Sequence, residues 1–364
     1  MRVVIPRSFC YALIGLFALL PDSSGSAATL TDNGGVLIHP NHSKLRYNGA
    51  LRTVATEAVA ELDRYSEDYY LNGMDGTVNL SKARTQPGVS ISFKTDSPLV
   101  TLMFSEREDT AIRGRRFTIF RNGEVAYDRV RDLEFTIANP SKETVEWEVY
   151  LPTFSGVTFL GLKLSPEYTL HDLPADDTPL YVAIGNSITH GVGQSGTLDT
   201  YAYRVADALG LRHINLATGG SRISAETLRN FNDISPRLVT ILWGYNDVNQ
   251  SRPVQEAVAS YETLVRGLCT KFPDAEVYSI LQTFTTTVVG RRNEDNRIDL
   301  LRELTRESVS RLQEAHSNLY LMDGAKYVTS EDDLKDKVHL NPQGARKLAE
   351  GIVAEYRANE NRSK

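Results

Sequence analysis

The sequence predicts two regions of different class, an all-β half followed by an α/β half. Three observations carry this: short alternating runs before residue 170, a polar stretch holding three prolines at 165–179, and a regular strand–helix alternation after it. At 364 residues the chain is long enough for two domains of ordinary size. Its 41 % apolar and 24 % charged residues are usual for a soluble globular protein.

Taken in order, the first residues read as an export signal. Arg2 and Arg7 open it, an apolar run covers 9–20, and Ser26-Ala27-Ala28 supplies the small residues at which a signal peptidase cuts. At about 12 residues the run is too short to cross a bilayer, which takes about 20. Cleavage near Ala28 makes residues 1–28 a signal peptide and the mature chain secreted or periplasmic. Arg2, Arg7 and Asp22 leave with it, so the mature chain is one unit more negative than the −6 of the whole. Cys10 also leaves, and Cys269 alone cannot form an internal disulfide. The sequence has no Lys/Arg-rich block, so neither nucleic acid nor an anionic membrane surface is an expected partner.

Residues 29–172 are expected to form a β-sandwich of jelly-roll type. Val89-Ser90-Ile91-Ser92-Phe93 alternates with period two, as do Thr118-Ile119-Phe120 and residues 144–150. Arg121-Asn122-Gly123-Glu124 carries the Asn-Gly pair of a tight hairpin. Residues 157–164 are a further strand, whereas 54–62 has helical spacing. Trp147 is expected in the core. The stretch 165–179, with Pro166, Pro174 and Pro179, is read as a linker. Beyond it, residues 178–360 should build a three-layer α/β/α domain on a parallel sheet. Strands are expected at 180–184, 213–217, 238–243, 277–281 and 319–322. Helices are expected at 200–209 with Gly210 as its stop, from Ser251 as cap to 272, at 296–316 and at 342–356.

Reactive groups in such sheets collect at the carboxyl ends of the strands. The first strand is followed by Gly185-Asn186-Ser187-Ile188-Thr189-His190-Gly191 and the second by Thr218-Gly219-Gly220-Ser221. After the third comes Gly244-Tyr245-Asn246-Asp247, and ahead of the last helix Asp336-Lys337-Val338-His339. A serine hydroxyl becomes a nucleophile when a base takes its proton, and histidine titrates in the right range. Asp336, three residues before His339, can reach its far ring nitrogen. The N–H groups of Ser187 and Gly220 and the amide of Asn246 are candidates for the oxyanion, with adjacent Gly219 as an alternative to Gly220.

These four blocks, in this order over about 150 residues, resemble those of the SGNH (GDSL-like) hydrolases. The resemblance implies a flavodoxin-like hydrolase fold and a triad of Ser187, His339 and Asp336. It also implies an oxyanion hole of Ser187, Gly220 and Asn246, with no cofactor. Asn186 stands where the family's Asp does, beside the nucleophile and outside the triad. A β-rich domain ahead, opening with Leu45-Arg46-Tyr47-Asn48-Gly49, is similar to that of two-domain carbohydrate acetyl esterases. An acylated polysaccharide or oligosaccharide is thus the expected substrate, and the reaction is removal of O-acyl, foremost O-acetyl, groups. The alternatives are a general carboxylesterase or lipase, an acyl-CoA thioesterase, or a carbohydrate-binding protein with an inert hydrolase domain. Export opposes the thioesterase.

His190 could line the pocket or be a loop residue. Asp247 is expected to be a structural hydrogen-bonding group. His39, His42, His171, His213 and His316 lack metal-ligand spacing. Gly191-Val192-Gly193-Gln194-Ser195-Gly196 formally fits a dinucleotide fingerprint, but the serine block separates it from the first strand and no acidic residue ends the second. Thr283 to Thr287 and Arg291-Arg292 belong to a loop that could shape the pocket.

Overall fold

The computed structural model describes residues 28–30, 34–286 and 298–362. Nearly all of the expected export signal, Cys10, Thr287 and Arg291-Arg292 lie outside the described residues.

Residues 28–171 form two antiparallel sheets. One runs in the order Ala28–Leu30, Val36–Ile38, Val157–Leu164, Ala60–Asp63, Arg52–Ala55, with Leu99–Glu106 joining Val157–Leu164 to Glu134–Ala138. The other runs Leu170–His171, Ser90–Thr95, Val145–Tyr150, Phe117–Arg121, Glu124–Val130, with Arg46–Asn48 also on Ser90–Thr95. Alternation sorts the side chains: along Val145–Tyr150, Val145, Trp147 and Val149 are buried while the residues between them are half-buried. One apolar cluster takes Leu102, Phe104 and Phe159 from the first sheet and Phe93, Phe117 and Trp147 from the second. Both sheets thus share one apolar core, to which each such side chain contributes about 1.5–3 kcal/mol by burial. Asn122 and Gly123 turn the expected hairpin at φ 50° and 81°, with Arg121 opposite Glu124.

Two expectations fail here. The helix at 54–62 is instead a hairpin of Arg52–Ala55 and Ala60–Asp63. Thr56 decides it, because its hydroxyl accepts the N–H groups of Ala58 and Val59 and closes a turn. Within the stretch read as a linker, Leu170–His171 pairs with Thr95 and Lys94.

The second half carries a five-stranded parallel sheet ordered Arg212–Ala217, Leu180–Gly185, Pro236–Leu242, Glu276–Leu281, Leu319–Asp323. Val182, Ile184 and Ile241 pack with Val265 and Leu301 of the helices Val254–Lys271 and Ile298–Gln313. Tyr181, Ala183 and Ile280 pack with Val205, Leu348 and Ile352 of Tyr201–Leu209 and Pro342–Arg362. Thr200 caps Tyr201–Leu209 through Tyr203 N–H, and Gly210 ends it at φ 63°. Ser251 does not cap the long helix. It has a φ of 59°, and the helix starts at Val254 behind Pro253, whose missing N–H costs nothing at that position.

The halves interlock. Past Asp63 the chain leaves the β-sheets, and Tyr65, Tyr69, Val78 and Ala83 join the apolar cluster of Ile214 and Leu216. The sheet order makes a crevice between the first and third parallel strands, beside the point where the second strand turns the other way.

Candidate active site

The turn after Leu180–Gly185 is built residue by residue for close quarters. A Cβ on Gly185 would lie 2.5 Å from Leu242 O and strike Thr189 as well. Asn186 caps the short helix Ser187–His190, its side-chain oxygen accepting Ile188 N–H at 3.1 Å. Aspartate would cap equally well, so the departure at this position leaves the turn intact. Gly191 ends the helix in the left-handed conformation, φ 107°. Ser187 is thereby held at a helix start, where its N–H has no partner within the helix.

Asp336 organises the opposite loop. Its Oδ1 accepts the N–H groups of Val338 and His339 at 2.8 and 2.9 Å, and its Oδ2 accepts His339 Nδ1–H at 2.8 Å. A carboxylate only accepts, so the ring proton sits on Nδ1 and Nε2 keeps its lone pair. That nitrogen lies 2.9 Å from Ser187 Oγ, which donates to it. Burial works to raise the Asp336 carboxyl, but these hydrogen bonds and the His339 ring outweigh it, and its pKa is lowered. Lys337 O takes Thr285 Oγ1–H at 2.7 Å and Thr286 N–H at 3.0 Å, so the threonine loop braces the histidine loop.

Gly219, Gly220 and Asn246 complete one cavity with Ser187 and His339, of about 620 Å³. Ser221 N–H closes a turn on Thr218 O at 3.1 Å, and Gly220 adopts φ 88°, a conformation suited to glycine. Among the described residues, the N–H groups of Ser187, Gly219 and Gly220 have no protein acceptor. Asn246 donates one amide hydrogen to Ser221 O at 2.9 Å and has a second available.

Sequence reasoning missed how far the β-rich half reaches into this site. Arg64 is fully buried and spends all five guanidinium donors on carbonyls. Nε binds Thr85 O at 2.7 Å; Nη1 binds Ala217 O at 2.8 Å and also Asn215 O; Nη2 binds Lys82 O and Ala83 O at 3.3 and 3.1 Å. It thus ties the end of the second parallel strand to the helix Leu80–Ala83. From that helix, Lys82 Nζ donates to Gly219 O at 3.0 Å. In a trans peptide the Gly219 C=O and Gly220 N–H point opposite ways, so this bond aims the Gly220 N–H. In the sequence Arg64 stands alone, with nothing to set it apart from a surface arginine.

His190 does not enter the cavity. Its Nε2 lies 3.0 Å from Thr153 O and 3.2 Å from Thr85 Oγ1, and its ring stacks on Phe154. Burial, then the charge of Arg64, pulls its pKa down to about 3 and keeps it neutral. Asp247 is buried and accepts Ile223 N–H and Arg252 Nη1–H, as a structural residue does. Cys269 is buried and free, with burial raising its thiol to about 12. In the formal fingerprint, Gly193 packs against Leu340 O and Gln194 Nε2 donates to that oxygen at 2.6 Å, so the segment supports the histidine loop.

Residues 183–347 match the model of the GDSL-like Lipase/Acylhydrolase family. No curated protein sequence matches the chain. A salicylyl-acyltransferase from a tetracycline biosynthetic pathway is similar in structure, with TM-score 0.76 and 19 % identity over 91 % of this chain and 99 % of that one. So is a family two carbohydrate esterase from Clostridium thermocellum in complex with cellohexaose, at TM-score 0.64 and 15 % identity over 87 % and 99 %. An acetyl xylan esterase from the rumen bacterium Butyrivibrio proteoclasticus gives 0.61 and 12 %, over 88 % and 97 %. At such identities the likeness is one of fold, and it extends over both halves. Residues 183–347, which match the GDSL-like lipase/acylhydrolase model, have the SGNH hydrolase fold and follow an N-terminal β-rich region.

Proposed function

We propose that this protein is an exported serine esterase that removes O-acyl groups, foremost acetyl, from a polysaccharide or oligosaccharide. The observation that carries the reading is the unbroken chain Ser187 Oγ–His339 Nε2 and His339 Nδ1–Asp336 Oδ2, at 2.9 and 2.8 Å in an open cavity. Ser187 attacks the ester carbonyl carbon while His339 takes its proton, and the carbonyl π electrons move onto oxygen. The resulting oxyanion is met by the N–H groups of Ser187 and Gly220 and by the Asn246 amide, each worth about 3 kcal/mol when well aimed. Collapse breaks the bond to the sugar oxygen, which leaves with the proton from His339. Water then gives a proton to His339, attacks the acyl carbon and releases the acid and Ser187.

The architecture proposed with this function has residues 1–28 as signal peptide, a β-sandwich at 29–172 and a three-layer α/β/α hydrolase domain at 178–360. Support for export comes from the apolar start of the sequence; among the described residues no helix is long and apolar enough to cross a membrane. Support for a saccharide substrate comes from the likeness to the carbohydrate esterases. The test is acetate release from acetylated polysaccharides and from p-nitrophenyl acetate. Wild type should turn over both and Ser187→Ala neither, with a loss of about 10⁵-fold in kcat or more. Turnover of the small ester alone would remove the polysaccharide, and undiminished turnover by Ser187→Ala would remove the mechanism.

A further inference from the structure

The chain carries a net charge of −6, yet its catalytic cavity is positive. Lys82, Arg113 and Lys337 line it, and its one carboxylate among the described residues, Asp336, is engaged by His339. Arg113 also lines a second cavity of about 610 Å³ at the junction of the two halves. Arg115, Arg116, Arg129, Arg131 and Phe154 share that wall, and no carboxylate lines it among the described residues.

Nearby acids neutralise these arginines only in part. Arg115 pairs with Glu106 at 3.2 Å, Arg116 with Asp128 at 2.6 Å, and Arg129 with the same Asp128 at 3.6 Å. Arg113 and Arg131 have no carboxylate partner among the described residues. Arg116 also faces Asp199, Nη1 to Oδ2 at 3.8 Å, so it is the most fully countered of the five and Arg113 and Arg131 carry the uncompensated charge.

The backbone is bent to assemble this wall. Strand Glu124–Val130 slips against Phe117–Arg121 between Phe117 and Ile119, and Arg129 sits in the slipped stretch at φ 61°. A bulge of this sort re-aims a side chain, and a non-glycine residue in the left-handed region costs of order 1 kcal/mol. Burial, then the charge of Arg113, lowers the pKa of Lys82, as expected where cations face one another without an anion between them.

We propose that the ester is carried by an anionic saccharide chain, whose carboxylate or sulfate groups lie along the arginine wall while the acylated unit enters the catalytic cavity. This rests on the esterase reading and names its substrate class. Because the arginines extend beyond the catalytic cavity, the negative charge belongs to the polymer rather than to the acyl group. The attraction is long-range between exposed groups and is screened by salt.

The experiment uses soluble cellulose acetates of equal acetyl content that bear carboxymethyl groups, sulfate groups or no charge. At low salt, wild-type kcat/KM on a charged polymer exceeds that on the neutral one by about ten-fold or more, and the ratio falls toward one by about 0.5 M NaCl. Preference for either charged polymer supports the proposal and identifies the oxyanion. Arg113→Gln/Arg131→Gln, both exposed positions, lowers the ratio, whereas Arg346→Gln on the last helix does not. Equal turnover of charged and neutral polymers, or a ratio that the double substitution leaves unchanged, overturns the proposal. So does displacement of the charged polymer by phosphatidylserine vesicles at matched charge, which would make the wall a lipid-facing surface. Ser187-dependent hydrolysis of p-nitrophenyl acetate without charge preference overturns this inference alone; hydrolysis persisting in Ser187→Ala removes the esterase reading and this inference together.

Discussion

The two walls of the catalytic cavity are held in different ways. On the nucleophile side, the bonds that fix Ser187 and Gly220 come from far along the chain: Arg64 onto Asn215 and Ala217, Lys82 onto Gly219, and His190 onto Thr85 and Thr153. On the histidine side the fixing is mostly local. Asp336 binds residues two and three positions ahead, and Lys335 N–H returns to His339 O at 2.7 Å. Exposure follows the same division: Ser187 is 8 % exposed, whereas the Asp336 side chain is 54 % exposed. The difference teaches that the β-rich half is part of the support of the proposed nucleophile, while the proposed base is carried by a loop closed mainly on itself.

The largest effect should come from breaking the local wall. Asp336→Asn removes the charge that fixes the His339 tautomer and should lower kcat by about 10³-fold, less than for a fully buried partner because water reaches this carboxylate. Its far-ultraviolet spectrum and melting should stay near wild type. A drop below about ten-fold in steady-state kinetics would mean that the loop positions His339 without it.

Breaking the distant wall should act on stability as well as on rate. Arg64→Met leaves up to five carbonyls short of a donor and should cost about 3–5 kcal/mol in urea unfolding. A variant as stable as wild type would show that the halves are joined by apolar packing alone.

The same seam should be acid-sensitive. Burial holds His190 at about 3 and His213, which faces Gly88, at about 4, against about 6.5 unfolded. Each folded value is depressed, so the unfolded chain takes up a proton first as pH falls. Stability is therefore full above pH 6.5 and declines below it, with a slope approaching about 2.7 kcal/mol per pH unit for two protons. Urea titrations at pH 7, 6 and 5 check this, and His190→Gln should bring the slope toward one proton. An unchanged slope in that variant would assign the acid loss elsewhere.

What was legible in the sequence follows the same division. The blocks around Ser187, Gly220, Asn246 and His339 sit directly after strands or before a helix, so periodicity and caps place them. Asp336-x-x-His339 closes on itself and can be read locally. Arg64, Lys82 and Arg113 could not be, since their partners lie across the fold and each alone is an ordinary surface residue type. The arginine wall shows this most clearly. Arg113, Arg115 and Arg116 fall in one short run and Arg129 and Arg131 in another, and only the hairpin of Phe117–Arg121 with Glu124–Val130 brings the two runs together. The helical spacing of 54–62 is misleading because a threonine turn, rather than hydrophobic spacing, makes the hairpin there.

The central claim is that Ser187 is a nucleophile activated by His339, and labelling with a fluorophosphonate followed by peptide mass mapping tests it most directly. The account predicts one phosphonyl group per chain, on Ser187, formed at least about 10³-fold more slowly in His339→Ala. Labelling at another serine, or equal labelling of Ser187 in His339→Ala, would contradict it.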